Sequence, residues 1–370
     1  MAEIIKPENI RTLTGADGQT FKVAVTNDGY PLMIATQNQE TGMWVWKNAT
    51  PKIIGEIVNI PTGCFYGGSN NITWPEIQKV TDIVNNNFNY GGVWAGMTRS
   101  QPKEGFFNYE DIEFGMSQAQ LGKDMGTIVH PIIWGSGEVP SWTKRKSKTE
   151  LLSLIDKHVT TIVANIKTAN KGSPPVINVV NEPMFRDSFW SIAGKEYITT
   201  ALLAARKAYP EAKLIISSFD NETKNGSQYN STLTLAKELY NQKLIDGVGI
   251  ELVINGEKPP TKKMLIEGLQ SYSMPIYITE SAIKMGKFAG DNQARLAEQA
   301  KIERMLGEVA SEVGVKLFVV FQATDDVSIY NDPTWEGGNP NNNTTLYDKN
   351  YEKKPAYYAL IAGLLDGYKK

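Results

Sequence analysis

Residues 175–183 read PVINVVNEP, and residues 274–281 read MPIYITES. Each is a short run of apolar, largely β-branched residues that turns polar at its end. Each delivers a glutamate at that point, Glu182 in the first and Glu280 in the second. Short apolar runs bounded by turn residues read as buried strands. The pattern recurs along the chain and predicts eight strands, at 60–66, 92–97, 127–134, 176–181, 213–217, 247–252, 276–279 and 316–321. Amphipathic stretches lie between them, such as TELLSLIDKHVTTIVANIK (149–167) and QARLAEQAKIERMLGEVASEVG (293–314). The second repeats its apolar residues near a 3.6 period and stops at Gly314, a good helix terminator. Eight βα units in about 310 residues predict a (β/α)8 barrel within the α/β class. A doubly wound parallel sheet is the alternative, weakened because no glycine-rich phosphate loop follows the first strand.

Residues 1–50 differ. In GQTFKVAVTNDGYPLMIAT (18–36), Asn27-Asp28-Gly29 separates two β-branched runs, a strong hairpin signal. We expect a small N-terminal β-rich extension over 1–50 and the barrel over 51–370.

Composition removes several classes. The chain has 370 residues, with 38 Lys+Arg against 40 Asp+Glu. That near-neutral balance argues against a duplex nucleic-acid binder, which needs a basic face. Cys64 is the single cysteine, so there is no disulfide framework. Two histidines, His130 and His158, cannot build a His-rich zinc or binuclear site, although carboxylates alone could hold an ion. No cofactor or metal is expected. No run of about 18 apolar residues spans a membrane. Residues 1–30 lack a basic-then-apolar leader pattern. That leaves a cytosolic protein or a mature secreted form.

Functional groups of such barrels gather just past the C-terminal ends of the strands. Glu182 and Glu280 fall there, on the fourth and seventh strands, which face each other across the barrel mouth. One such glutamate alone is commonly an ordinary loop residue. Two across one cleft are the machinery of glycoside hydrolysis, one carboxyl donating a proton and the other attacking the anomeric carbon.

At these residues the chain resembles glycoside hydrolase family 10, the endo-β-1,4-xylanases, over about residues 50–367. SQPKEGFFNYEDIEF (100–114) looks like the segment after that family's second strand. HPIIWGSGEVPSW (130–142) is similar to its H-T-L-V-W-H…P-S-W stretch, and NVVNEP (178–183) to W-D-V-V-N-E. AYPEAKLIISSFDNE, IDGVGIELVI, PIYITES, FVVFQATDDVS and TLYDKNYEKKPAYYAL follow in the family's order.

The resemblance implies Glu182 as acid/base, Glu280 as nucleophile, retention of configuration, and xylan or xylo-oligosaccharide as substrate. It implies that Asn181 meets the sugar 2-hydroxyl and that His130 and Trp134 line the subsite of the reacting sugar. Phe321 stands where the family has Trp and keeps an aromatic floor. Trp94 and Trp335, the latter in a long Gly/Asn/Pro-rich loop after the eighth strand, are added as sugar-contact candidates.

The departures are specific. The family's E-N-x-M-K-W grip is replaced by the run 92–97, which carries none of its polar residues unless Arg99 or Gln101 moves in. The second histidine of the W-H stretch is Gly135. The sixth-strand Gln and His become Glu251 and Val253, and the Asp two residues after the nucleophile becomes Ala282. In the family that His and Asp form a chain to the nucleophile. Losing one alone would strand a buried polar group, at about 1–3 kcal/mol. Losing both together leaves no orphan. Glu251 becomes a new carboxylate that could bind a hydroxyl or raise the pKa of Glu182.

His158 and Cys64 are expected to be structural, and the basic run TKRKSKTE a solvated face. The expected partner is a polysaccharide or oligosaccharide, not nucleic acid or membrane, and the expected site of action is extracellular unless short oligosaccharides are the substrate. The competing readings are a hydrolase of another β-linked glycan, a non-catalytic carbohydrate-binding barrel, and, more distantly, a metal-dependent barrel hydrolase.

Overall fold

The computed structural model describes residues 7–66, 74–122, 125–184, 186, 188–335 and 337–368. Residues 1–6 of the expected extension lie outside these. Strands β1 (Ile10–Thr14), β2 (Thr20–Val25), β3 (Pro31–Gln37) and β4 (Trp44–Asn48) form an antiparallel meander in chain order. The 27–29 turn joins β2 to β3, and Gly29 there has φ +81°, a conformation that suits glycine. Phe21, Val23, Val25 and Ile34 carry one face of this sheet into the main core.

Thr50 then caps helix α1 (Pro51–Val58), its side chain accepting from Ile53 N, with Pro51 pre-set for the first turn. The alternation that follows is β5 (Thr62–Phe65), α2 (Trp74–Asn87), β6 (Tyr90–Val93), α3 (Met97–Ser100), α4 (Glu110–Leu121), β7 (Gly126–Val129), β8 (Ile133–Trp134), α5 (Lys148–Ala169), β9 (Val176–Asn181), α6 (Ser188–Ala193), α7 (Glu196–Ala208), β10 (Lys213–Phe219), α8 (Tyr229–Asn241), β11 (Gly247–Asn255), α9 (Lys262–Gln270), β12 (Ile276–Lys284), α10 (Asn292–Val313), β13 (Leu317–Val320) and α11 (Pro355–Gly367).

All barrel pairings are parallel, in the order β5-β6-β7-β9-β10-β11-β12-β13, and β13 returns to β5. A doubly wound sheet has two free edges, so closure excludes that alternative. Gly314 ends α10 with φ +73°.

Four strand expectations are corrected. The run 92–97 is not one strand: β6 stops at Val93, and Gly96 leads into α3 at Met97. The run 127–134 is two strands, because Pro131 has no N–H for the ladder; β8 resumes it and pairs with β9. β11 and β12 run on to Asn255 and Lys284, so Glu251 and Glu280 lie within strands rather than at their ends.

Inside the barrel Ile128, Val176, Ile215 and Tyr277 pack in one apolar layer with Leu317 and Val319. Side chains two residues further along each strand point the same way. Those positions are His130, Asn178, Ser217 and Thr279, all buried and polar. An apolar plug thus carries a polar layer on its C-terminal side. Bulges then re-aim the next residues. The β9–β10 register skips Val179, and the β11–β12 register skips Thr279, which brings Glu251 opposite Glu280.

Candidate active site

A cleft of about 720 Å³ opens at this end of the barrel, with Glu182, Glu251 and Glu280 in its wall. Trp94, Trp134, Asn181, Phe321 and Trp335 line it as well. His130 is buried beneath it, 5.8 Å centroid to centroid from Phe65 and 6.1 Å from Trp94. All nine candidates from the sequence therefore meet at one place. A larger hollow of about 980 Å³ lies beside the loop after β13, but no aromatic ring lines it to stack a sugar.

Glu182 follows β9 with φ 47°, in the left-handed region that L-residues rarely adopt. Its Oε2 accepts from Trp134 Nε1 at 2.9 Å and from Ser136 Oγ at 2.8 Å. Burial raises its pKa above the usual carboxylate value. The charge of Glu280 adds to the rise, and the two hydrogen bonds oppose it. This setting favours the protonated carboxyl over the carboxylate more than water would.

Glu280 is 6% exposed. His130 Nε2 lies 2.8 Å from its Oε1, and Tyr330 OH donates to its Oε2 at 3.4 Å. Asn178 sets the histidine tautomer. Its Nδ2 approaches His130 Nδ1 at 3.0 Å and donates to Asn181 Oδ1 at 2.8 Å. An amide N–H₂ offers only protons, so Nδ1 accepts and the ring proton sits on Nε2, facing Glu280. By the same logic Asn181 Oδ1 is occupied, and its own N–H₂ is left for the cleft.

The replacements seen in the sequence fall into register. Val253 and Ala282 stand opposite each other across β11 and β12. The paired loss of polarity is thus local to one contact, and His130 with Tyr330 supports Glu280 from other sides. Glu251 is 5% exposed, and burial followed by the charges of Glu280 and Glu182 pushes its carboxyl well above the usual range.

On the β6 side, Gln101 does not enter the cleft: it is buried with its Oε1 2.8 Å from His158 Nδ1. Arg99 pairs with Asp111 at 2.6 Å and reaches only a small recess of about 100 Å³ beside Trp94. The polar group that touches Trp94 is Glu138, which accepts from its Nε1 at 3.1 Å. His158 is buried on α5, where burial lowers its pKa to about 4, and Cys64 is buried in β5. Trp335 is 42% exposed at the lip of the cleft.

Asn178, Ser136, Glu138 and Tyr330 were missed by the sequence reading, as were Lys284 and Arg186 in the cleft wall. Asn178 alone carried a signal, a polar residue at an inward position of a buried strand. Among the described residues, one group of His, Cys, Asp or Glu is tight enough to share an ion: His130, Glu251 and Glu280, within 4.8 Å of one another. An ion there would have to part His130 from Glu280.

Known proteins share this fold. Endo-1,4-beta-xylanase B of Thermotoga neapolitana is 28% identical over 327 residues, 84% of this chain and 90% of the relative. The structure of xylanase 10B from Thermotoga maritima superposes with a TM-score of 0.75 at 24% identity, covering 86% of this chain and 98% of that one. Xylanase 10B from Thermotoga petrophila, solved in complex with xylobiose, gives 0.75 at 23% identity over 87% and 99%. At those identities the two structures speak for the fold. Residues 74–363 match the description "Glycosyl hydrolase family 10", and with more than three quarters of its length inside that match, the chain belongs to this family of glycoside hydrolases.

Proposed function

We propose that this chain is a retaining, endo-β-1,4-xylanase-like hydrolase in which Glu182 is the acid/base and Glu280 the nucleophile. The observation that carries the assignment is the unequal setting of the two carboxyls. Glu182 has a raised pKa and two donors on a single oxygen, whereas Glu280 faces the Nε2 proton of His130. Pairs of titratable groups held in different settings divide into acid and base.

In the first step the Glu280 carboxylate attacks the anomeric carbon, and the bond to the leaving oxygen breaks as Glu182 gives that oxygen its proton. The product is a glycosyl ester on Glu280. Glu182, now a carboxylate, then takes a proton from water as that water attacks the same carbon and releases Glu280. Asn181 offers its N–H₂ to a ring hydroxyl. Trp134, Phe321 and Trp94 give apolar faces to the C–H faces of the sugars. Similarity to the xylanases above and the xylobiose held by the Thermotoga petrophila enzyme support xylan as the substrate. Action on a polymer supports an extracellular site of action, and action on short oligosaccharides would favour one inside the cell.

A panel of xylan, β-glucan, mannan and arabinoxylan, read by release of reducing ends, tests the reading. Xylan should be hydrolysed with β-anomeric product formed first. Glu280→Ala should lose turnover, and Glu182→Ala should be rescued by azide with an activated aryl glycoside. Turnover of another glycan alone would move the substrate assignment, and binding of xylan without turnover at any pH would remove the enzymatic one.

A further inference from the structure

We propose that Glu251 is a positioning residue that remains a neutral carboxylic acid throughout the reaction and donates its proton as a hydrogen bond to Glu182. The proposal rests on the assignment of Glu182 as acid/base.

Three observations meet at this side chain. First, the β11–β12 register sets Glu251 directly opposite Glu280. Like charges at such a cross-strand pair repel, and burial removes the water that would screen them. Second, the carboxyls of Glu251 and Glu182 stand together in the cleft wall, close enough for a hydrogen bond between them. An ionised carboxylate only accepts, so two carboxyls can bond only when a proton lies between them. Third, Ser217 Oγ donates to Glu251 Oε1 at 3.4 Å, and Thr279 Oγ1 lies 2.7 Å from the same hydroxyl. Ser217, the one donor to Oε1, leaves the other oxygen to carry the proton.

The titratable groups facing Glu251 are Glu182 after β9, Glu280 on β12 and His130 after β7. Tyr330, bonded to Glu280, and the cations Lys284 and Arg186 share the cleft. Glu280 must be ionised to attack. Of the two remaining carboxyls, Glu251 is the more deeply buried and is the one boxed between two other acids.

The resting site then holds one negative charge on Glu280 and one proton on each of Glu182 and Glu251. When Glu182 passes its proton to the leaving oxygen, it becomes an anion in a site with little water. The O–H of Glu251 is already in place to donate to that anion. When Glu182 regains a proton from water, the same bond persists and Glu251 has neither gained nor lost one. An ionised Glu251 would do the opposite: it would accept the Glu182 proton and hold it back from the sugar.

The test compares Glu251→Gln, which keeps a neutral donor of the same shape, with Glu251→Ala, which removes it. Glu251→Gln should cost less than about tenfold in kcat/KM on xylo-oligosaccharides, with its alkaline limb within about half a pH unit of wild type. Glu251→Ala should cost about a hundredfold on the same substrates, and far less on an aryl xyloside that leaves without a proton. In the infrared, the difference between wild type and Glu251→Gln should show a protonated-carboxyl C=O band above the pH of the wild-type kinetic alkaline limb, to which Glu303, another buried acid, does not contribute.

A downward shift of that limb by about one unit or more in Glu251→Gln would mean that Glu251 had been charged, and would overturn the proposal. So would a missing band in that infrared difference, or wild-type rates on both substrates in Glu251→Ala. Glu182→Gln, measured alongside, separates the two assignments. If it turns over xylo-oligosaccharides normally, the acid/base reading of Glu182 fails, while the infrared band still reports whether Glu251 holds a proton.

Discussion

Asn178 Nδ2 lies 3.0 Å from His130 Nδ1, and through that one contact a strand-interior amide decides which face of the imidazole carries its proton. The second N–H of the same amide holds Asn181 Oδ1. Replacing Asn178 by Leu, of similar size, should leave the barrel folded while freeing both neighbours. Misorientation of groups at the reacting centre typically costs on the order of 100-fold in rate. We expect kcat/KM to fall by about that factor and the melting temperature to drop with it, since His130 Nδ1 and Asn181 Oδ1 each lose a buried donor at about 1–3 kcal/mol. A change confined to KM would show that Asn178 serves sugar binding and not the tautomer.

How much of this could be read beforehand follows from where each signal lies. The bounds of β9 match the sequence reading, because prolines bracket one β-branched run. Glu182 and Glu280 were legible because each closes such a run. The partners that tune them were not. His130 is 48 residues from Asn178, Ser136 is 46 from Glu182, and Tyr330 is 50 from Glu280. No periodicity links positions so far apart, and Ser136 and Tyr330 sit in loops whose composition reads as turn. The pairing of Glu251 with Glu280 depends on one skipped residue at Thr279. A bulge of this kind shifts register by one without altering the apolar pattern from which strands are recognised.

Ser136 gives a pH prediction with a definite sign. Its hydroxyl donates to Glu182 Oε2, which favours the ionised carboxyl and holds the pKa below what burial alone would set. Ser136→Ala removes that donor, so the pKa of Glu182 rises. The active form of an acid catalyst is the protonated one, and activity is lost as pH climbs through this value. The alkaline limb of kcat/KM should therefore move upward. A hydrogen bond worth about 1 kcal/mol corresponds to roughly 0.7 of a pH unit. A downward shift in the pH–rate profile would contradict the arrangement.

Glu303 predicts a pH effect on stability far from the cleft. It is buried on α10, and burial lifts its carboxyl to about 8, with Lys354 pulling the other way. Above pH 4.5 the unfolded chain releases this proton while the folded one keeps it. Stability therefore falls with rising pH, by up to about 1.4 kcal/mol per unit, until the folded group also ionises near pH 8. Glu303→Gln cannot titrate and should remove this part of the slope. Denaturant melts at pH 5 and pH 8 should differ less for the variant than for wild type; equal differences would show that Glu303 ionises freely in the fold.

The loop that brings Tyr330 to Glu280 is fastened by a buried ion pair. Lys354 is 4% exposed, and its Nζ lies 2.8 Å from Asp325 Oδ2 and 2.8 Å from Asn343 O. Asp325 also accepts from Thr345 N and Oγ1, and its carbonyl accepts from Asn331 Nδ2, one residue past Tyr330. Lys354→Met leaves a buried carboxylate without its cation, a change that typically costs about 3–5 kcal/mol. Replacing both members removes the uncompensated charge, so Asp325→Asn combined with Lys354→Met should recover much of that loss in a denaturant melt. Activity should not recover in parallel, because Met also removes the Lys354 donor to Asn343 O that ties this loop down. A double variant as unstable as Lys354→Met alone would mean that Asp325 contributes through its hydrogen bonds to Thr345 and not through its charge.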